Sequence, residues 1–393
     1  MSFRMFGSEE MAALKEVVEG QELWRGTDGN FVARFEDAFG HHVGRRYVLA
    51  VNSGTSANET ALAACGVGPG DEVIVSPCSF IASSLSAVAL GAVPVFADVD
   101  PRNLILTAEG VEAALTPKVR AVVVVHLWGI PADMHPIMEV ARRHQLAVVE
   151  DCAQAYDVYY RGQMAGTFGD VACYSLQQSK HITSGEGGLV TTDDPEAYAR
   201  AVLYANCGMP WYRYGLDAPH PEPVAGLPTR GHFAFGHNYR MTELQGAVAW
   251  AQLAKIGALN ARRAEIVAAI EQELGSAPGI RLAHCPPDSK PNYWAYPASL
   301  DPERTKLTTA DLGLPRYNEI NYLEPVYQRM QQERRTALGY PLPDYVSYAA
   351  GTCPQAEEGA RRLFTLWAHP TGDPAELRRE ARAIAAKVSA ALG

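Results

Sequence analysis

Seven short runs of apolar or β-branched residues punctuate the first half of the chain, at 47–51, 72–76, 94–97, 121–125, 147–150, 171–174 and 189–192. Four of them are almost wholly apolar rather than alternating, the pattern of strands covered on both faces. Helix-length segments at 56–65, 79–91, 109–115 and 133–145 separate the earlier runs. Together they predict an α/β domain built on a mostly parallel sheet. A helical period then runs from about residue 242 to 274. The tail closes with another helix, which Asp373 caps and Pro374 opens, with Leu377, Ala381, Ile384, Val388 and Leu392 at helical spacing. Before the 242–274 helix, residues 208–236 are rich in Gly, Pro and aromatics (Trp211, Tyr212, Tyr214, Phe233, Phe235) and show no helical period. A loop of that length inside a compact domain is functional, disordered or packed on another subunit.

Length adds a second unit to this picture. At 393 residues the chain exceeds the size at which one core keeps growing, so a large domain over 1–255 and a smaller one over 256–393 are expected. The apolar and charged fractions are those of a globular protein in water. A net charge of −10 speaks against nucleic acid or an anionic membrane as partner. No apolar stretch suits a signal peptide or a membrane span. The seven cysteines are scattered and form no Cys-x-x-Cys pair, which fits reduced thiols in a cytoplasm and no metal site.

In parallel sheets ligands sit beyond the carboxyl ends of the strands, and four segments there carry chemistry. Asn52-Ser-Gly-Thr-Ser-Ala57 opens a helix with small residues, so backbone N–H groups can approach an anion such as a phosphate; it is equally an ordinary turn. Glu150-Asp-Cys-Ala-Gln154 puts an acid at a strand end, where Asp151 either caps a helix or faces a pyridine nitrogen and keeps it protonated. Tyr174-Ser-Leu-Gln-Gln-Ser-Lys-His-Ile-Thr-Ser-Gly-Glu-Gly-Gly188 sets Lys180 between a strand and a Gly-rich return. That is either a surface lysine or a desolvated amine of lowered pKa, the form a Schiff-base nucleophile needs. In Gly236-His-Asn-Tyr-Arg-Met-Thr-Glu-Leu-Gln245, a capping box accounts for Thr242 and Gln245 and leaves Asn238 and Arg240 unexplained.

In order and spacing these segments, with Gly68-Pro-Gly-Asp-Glu-Val73, Gly91-Ala-Val-Pro-Val95 and Val125-His-Leu-Trp-Gly129, resemble the DegT/DnrJ/EryC1/StrS family of sugar and cyclitol aminotransferases. The resemblance covers most of residues 20–255 and thins beyond about 256. It implies the fold type I architecture of pyridoxal-phosphate (PLP) enzymes: a large domain with a seven-stranded sheet, a smaller C-terminal α/β domain, and a homodimer with shared active sites. It implies that Lys180 carries pyridoxal 5'-phosphate as a Schiff base and shuttles the proton, and that Asp151 pairs with the pyridinium nitrogen. Phe80 would stack on the ring and Gln154 contact its phenolic-oxygen side. The phosphate would rest on the backbone of Gly54, Thr55 and Ser56, with the Ser175 hydroxyl and Asn238 of the neighbouring subunit. His126 and Trp128, after the fourth strand, are substrate candidates; Arg361 and Arg362 are available cations that nothing singles out. The implied activity is ping-pong transamination from glutamine or glutamate, through pyridoxamine 5'-phosphate, to a keto-cyclitol or keto-sugar, in antibiotic or other secondary metabolism. Two rivals stand beside it. One is a dehydratase or aromatising (aminobenzoate-forming) lyase on the same scaffold, and the other a non-catalytic PLP-binding regulator.

Overall fold

The computed structural model describes residues 3–25, 30–210, 231–316 and 320–392. Of the aromatic loop expected over 208–236, residues 211–230, with Trp211, Tyr212 and Tyr214, lie outside the described residues.

Two helices, α1 (Ser8–Gly20) and α2 (Phe31–Val43), precede the sheet. All seven apolar runs then become strands of it: β1 (Tyr47–Val51), β2 (Glu72–Val75), β3 (Val93–Phe96), β4 (Val119–Val125), β5 (Ala147–Asp151), and, after a small hairpin of β6 (Tyr159–Tyr160) and β7 (Gln163–Met164), β8 (Val171–Ser175) and β9 (Gly188–Thr192). The sheet order is β1-β9-β8-β5-β4-β2-β3, and β9 alone runs antiparallel to its neighbours. The four predicted helices appear, with ends shifted by up to three residues, as α3 (Gly54–Ala64), α4 (Ala82–Ala89), α5 (Ala108–Ala113) and α6 (Met134–Arg143), and α7 (Pro195–Ala205) follows β9. Strands β1, β2, β8 and β9 are buried along their whole length, the polar Glu72, Ser175, Thr191 and Thr192 included, because helices and neighbouring segments cover both faces. Six parallel strands therefore end on one edge of the sheet, and β9 begins there.

The helix expected over 242–274 is two: α8 (Glu243–Leu253), capped by the Thr242 hydroxyl with Gln245 completing the box, and α9 (Ile256–Leu274). No proline marks the break. It falls where the packing partners change, since α8 lies on α1 and α2 whereas α9 pairs with the C-terminal helix. At the break Lys255 bonds Glu9 and Glu10 at 3.0 and 2.8 Å.

Beyond α9 come β10 (Ile280–Arg281), β11 (Ser289–Lys290), β12 (Ala295–Leu300), α10 (Pro325–Glu333), α11 (Pro354–Arg362), β13 (Leu363–Trp367) and α12 (Pro374–Ala390), the last capped by Asp373 with Pro374 in its first turn. Strands β10, β12 and β13 form an antiparallel sheet, and β11 extends the β6–β7 hairpin. Ile266, Ile270, Tyr296, Phe364, Ala381, Ile384 and Val388 form an apolar cluster between the first of these sheets and helices α9 and α12, with Leu377 and Leu392 at its margin. The segment around α10 turns back on the large sheet. Tyr322, Tyr327 and Tyr348 meet Phe96 edge-on at 5.4, 5.2 and 5.6 Å between centroids.

Candidate active site

The strand ends gather around a cavity of about 500 Å³. Each contributor comes from a strand end or the turn after it: Gly54 and Thr55 after β1, Phe80 and Ser83 after β2, Val125 of β4, Asp151 and Gln154 at β5, Ser175 and Lys180 at β8, and Glu186 just before β9. Trp294 and Trp367 close it from the C-terminal half.

One wall is built by close approach of α3 to β8 and β9. A Cβ on Gly54 would lie 2.7 Å from both Cβ and Oγ of Ser175, and one on Gly188 would lie 2.3 Å from the Ser53 carbonyl oxygen. Glycine at both positions lets the start of α3 settle against the sheet. Ser53 caps the helix by accepting from the Ser56 amide at 3.1 Å. The Gly54 and Thr55 amides have no acceptor among the described residues and line the cavity, so two backbone donors at a helix start face it.

Asp151, also lining the cavity, is 4% exposed and both its oxygens are held: Oδ2 accepts from Asn58 Nδ2 (3.0 Å) and Ser83 Oγ (2.8 Å), and Oδ1 from the Ala153 amide (3.0 Å), which leaves an acceptor position on Oδ1. No helix begins here, so Asp151 is no helix cap. Lys180 is 8% exposed, with Nζ 4.4 Å above the centroid of the Trp294 ring. Burial lowers its pKa from 10.5 to about 8; Asp151 opposes the shift and Arg263 adds to it. A lysine so placed keeps an appreciable fraction of neutral amine at physiological pH.

Gln154 is oriented by the Trp128 amide, which donates to its Oε1 at 2.8 Å. Phe80 is 55% exposed and stands at the cavity wall. These contents suit PLP: two free amides and the Ser175 hydroxyl for a phosphate, a fixed carboxylate for a pyridine nitrogen, and a buried amine for the carbonyl carbon.

Other expected residues lie elsewhere. His126 is fully buried: its Nε2–H donates to Glu150 (2.9 Å) and its Nδ1 accepts from the Ala132 amide (3.0 Å). Glu150 also accepts from the amides of Gly166 (2.8 Å), Phe168 (2.7 Å) and Gly169 (2.6 Å). Burial alone would raise its pKa, but these bonds hold it below the ordinary value. The cluster of His126, Glu150 and Cys152 is thus a hydrogen-bonded staple between β4, β5 and the 165–169 loop. The Trp128 indole donates to the Asn103 carbonyl at 2.9 Å, so that side chain too is structural. Neither His126 nor Trp128 lines the cavity, nor do Ser56, Asn238, Arg361 and Arg362. Asn238 is exposed and bridges to Asn206. His181, beside Lys180, turns away and donates to the Asn292 carbonyl at 2.7 Å.

Sequence reasoning missed Asn58, Ser83, Trp294, Trp367 and Arg263. Arg263 alone left a signal, because Leu259, Arg263, Ile266 and Ile270 share the buried face of α9 and a charge there is out of pattern.

The profile of the DegT/DnrJ/EryC1/StrS aminotransferase family matches residues 5–385. The chain is 40% identical over 280 residues to the GDP-perosamine synthase of Caulobacter vibrioides, covering 70% of this chain and 71% of that one. It is 37% identical over 370 residues to the L-glutamine:2-deoxy-scyllo-inosose aminotransferase of Streptomyces kanamyceticus, covering 90% and 83%. The structure of 3-amino-5-hydroxybenzoic acid synthase superposes with a TM-score of 0.82 at 28% identity, over 99% of this chain and 98% of that one.

Proposed function

The chain belongs to the DegT/DnrJ/EryC1/StrS aminotransferase family of PLP-dependent enzymes, and on that premise we propose that it moves an amino group from glutamine or glutamate to the keto group of a cyclitol or sugar, with Lys180 as the reactive residue. The observation that carries this reading is the buried Lys180 amine and the hydrogen-bonded Asp151 carboxylate in one cavity at the sheet edge.

PLP supplies an electron sink when bound, so that a substrate C–H bond next to nitrogen can give up its proton. The rest falls to this chain. The amides of Gly54 and Thr55 and the Ser175 hydroxyl hold the phosphate. The Asp151 carboxylate, kept in place by Asn58 and Ser83, accepts the pyridinium N–H and sustains its charge. Phe80 covers one ring face and Gln154 reaches the phenolic side. The Lys180 amine would hold the cofactor by its carbonyl carbon between turnovers, and when unlinked its Nζ would carry the proton that leaves the substrate carbon. The donor leaves as a keto acid before the keto-cyclitol or keto-sugar enters, so one site serves both half-reactions.

Among the described residues lining the cavity Lys180 is the sole cation, while Asp151 and Glu186 supply carboxylates. A cyclitol acceptor and a place in secondary metabolism belong to the proposal on the strength of the 37% identity over 90% of the chain to the 2-deoxy-scyllo-inosose aminotransferase. The 40% identity to GDP-perosamine synthase supports a nucleotide-linked sugar as the other acceptor class. The division at residue 255, a cytoplasmic location and a homodimer that lends Asn238 to the partner's site belong to the same proposal. The fold shared with 3-amino-5-hydroxybenzoic acid synthase keeps one alternative open, an aromatising reaction on this scaffold. His181, turned from the cavity, supplies no additional base for it.

The test is Lys180→Ala. The variant should fold as the parent does, lose the visible absorbance of bound PLP and perform no multiple turnover. A borohydride-fixed adduct mapped by mass spectrometry to any other lysine overturns the assignment. Assay of the parent with glutamine and a panel of keto-cyclitols and nucleotide keto-sugars reads the substrate class; an aromatised product in place of an amine points to the lyase.

A further inference from the structure

Three consecutive residues of the reactive loop are held from the C-terminal half of the chain. The Trp294 indole donates to the Ser179 carbonyl (2.7 Å), Arg263 Nη2 to the Lys180 carbonyl (3.0 Å), and His181 Nε2 to the Asn292 carbonyl (2.7 Å). The same guanidinium donates through Nη1 to the carbonyls of Ala368 (3.0 Å) and Trp294 (3.4 Å). Ala368 follows Trp367 and Trp294 precedes β12, so one side chain joins the lysine loop to the segments carrying both tryptophans of the cavity wall.

Arginine is a costly choice for that junction. Arg263 is 1% exposed, its Nε has no acceptor, and among the described residues no carboxylate pairs with it. Burial brings its pKa down to about 9, which leaves it charged at neutral pH. A neutral donor would serve the carbonyls without the desolvation penalty of an unpaired charge. What a neutral donor lacks is a positive charge held 3.0 Å from the Lys180 carbonyl.

We propose that Arg263 is a positioning residue for Lys180: its guanidinium fixes the lysine backbone against the tryptophan wall and sets an unpaired positive charge beside that lysine. The proposal rests on the reading of Lys180 as the cofactor-bearing lysine. The groups facing Lys180 are few. Asp151, from β5, favours the ammonium, and Arg263, from α9, disfavours it. His181 is held well below its usual pKa by burial and then by Arg263, and His369, after β13, is brought to about 4 by the same two causes, so both are neutral. Glu186 is exposed and stands at the cavity wall. Arg263 is therefore the one permanent cation acting on the amine among the described residues.

The experiment loads the full-length chain with pyridoxamine 5'-phosphate, which leaves Lys180 unlinked, and follows acylation of Lys180 by a small reagent across pH with peptide mass spectrometry. The parent's midpoint should lie below the ordinary lysine value. Arg263→Gln, which keeps a donor and removes the charge, should raise the midpoint by about half a unit or more, roughly threefold less free amine at pH 7. Arg263→Lys, which keeps the charge, should restore most of the difference. A midpoint unmoved in Arg263→Gln, or moved as far in Arg263→Lys, refutes the charge role. Failure of both Arg263→Gln and Arg263→Met to fold would make Arg263 a scaffold residue and equally end the proposal. Loading the parent with PLP instead must protect Lys180 from the reagent. If it does not, the assignment of Lys180 fails, independently of the midpoint comparison.

Discussion

At the scale of single residues, the site divides into groups that act and groups that hold them. Asp151 shows the difference, because donors from Asn58, Ser83 and the Ala153 amide fix the orientation of its carboxylate. Asp151→Asn removes the charge and places an amide N–H among those donors, so the pyridine nitrogen loses the partner that keeps it protonated. PLP should still bind through the phosphate contacts and Lys180, while kcat falls about 100-fold or more, roughly 3 kcal/mol of barrier. Turnover within a few-fold of the parent in a stopped or continuous assay would show that Asp151 does not serve the ring. Lys180 and Asp151 were legible from their places after apolar runs, where parallel sheets expose side chains to ligands, while Phe80, Gln154 and Ser175 entered only through the family resemblance. His126 stands in such a place too, and its burial shows the limit of the rule. Strand ends also need polar staples, and only the Glu150 acceptor pattern tells the two apart. Trp294 and Trp367 were not legible, since more than a hundred residues separate them from the segment they cover and no local pattern encodes that return.

At the scale of elements, the phosphate cradle depends on how closely α3 is seated. Residues 52–57 read as a helix start, and the helix begins at Gly54. The sequence could not say that the helix is pressed so tightly that Gly54 has no room for a methyl group beside Ser175. Gly54→Ala must push the helix start away from β8 or displace the Ser175 hydroxyl. Overpacking of this kind costs about 1–3 kcal/mol. The strain falls on the two amides and the hydroxyl assigned to the phosphate, so PLP retention should weaken roughly 10-fold or more with a much smaller change in the cofactor-free Tm. Equilibrium dialysis and a melting curve read the two effects separately. A variant that retains PLP like the parent would show that the phosphate rests elsewhere. The break between α8 and α9 carries a related lesson. Helical periodicity continued through Ala254 and Lys255, and only the change of packing partners, invisible in one linear pattern, divides it.

At the scale of the whole molecule, the proposed homodimer gives a role to Asn238 and to an apolar surface. Met11 (68%), Trp24 (59%) and Phe235 (104%) are highly exposed, and Asn238 lies near the last of these in sequence, outside its own chain's cavity. If Asn238 completes the partner's phosphate site, Asn238→Ala should lose one hydrogen bond to a charged group, about 1.5–3 kcal/mol of cofactor binding. Mixing that variant with Lys180→Ala at limiting PLP, and letting subunits exchange, separates the two geometries. In a mixed dimer one site receives both lesions, while the other joins the intact Lys180 of one chain to the intact Asn238 of the other. Activity should therefore rise above the sum of the two parent variants. Were Asn238 to act within its own chain, every site would keep one lesion and mixing would restore nothing. Asn238→Ala alone must first release PLP measurably more easily than the parent, and a silent single variant counts against the shared site before any mixing is done.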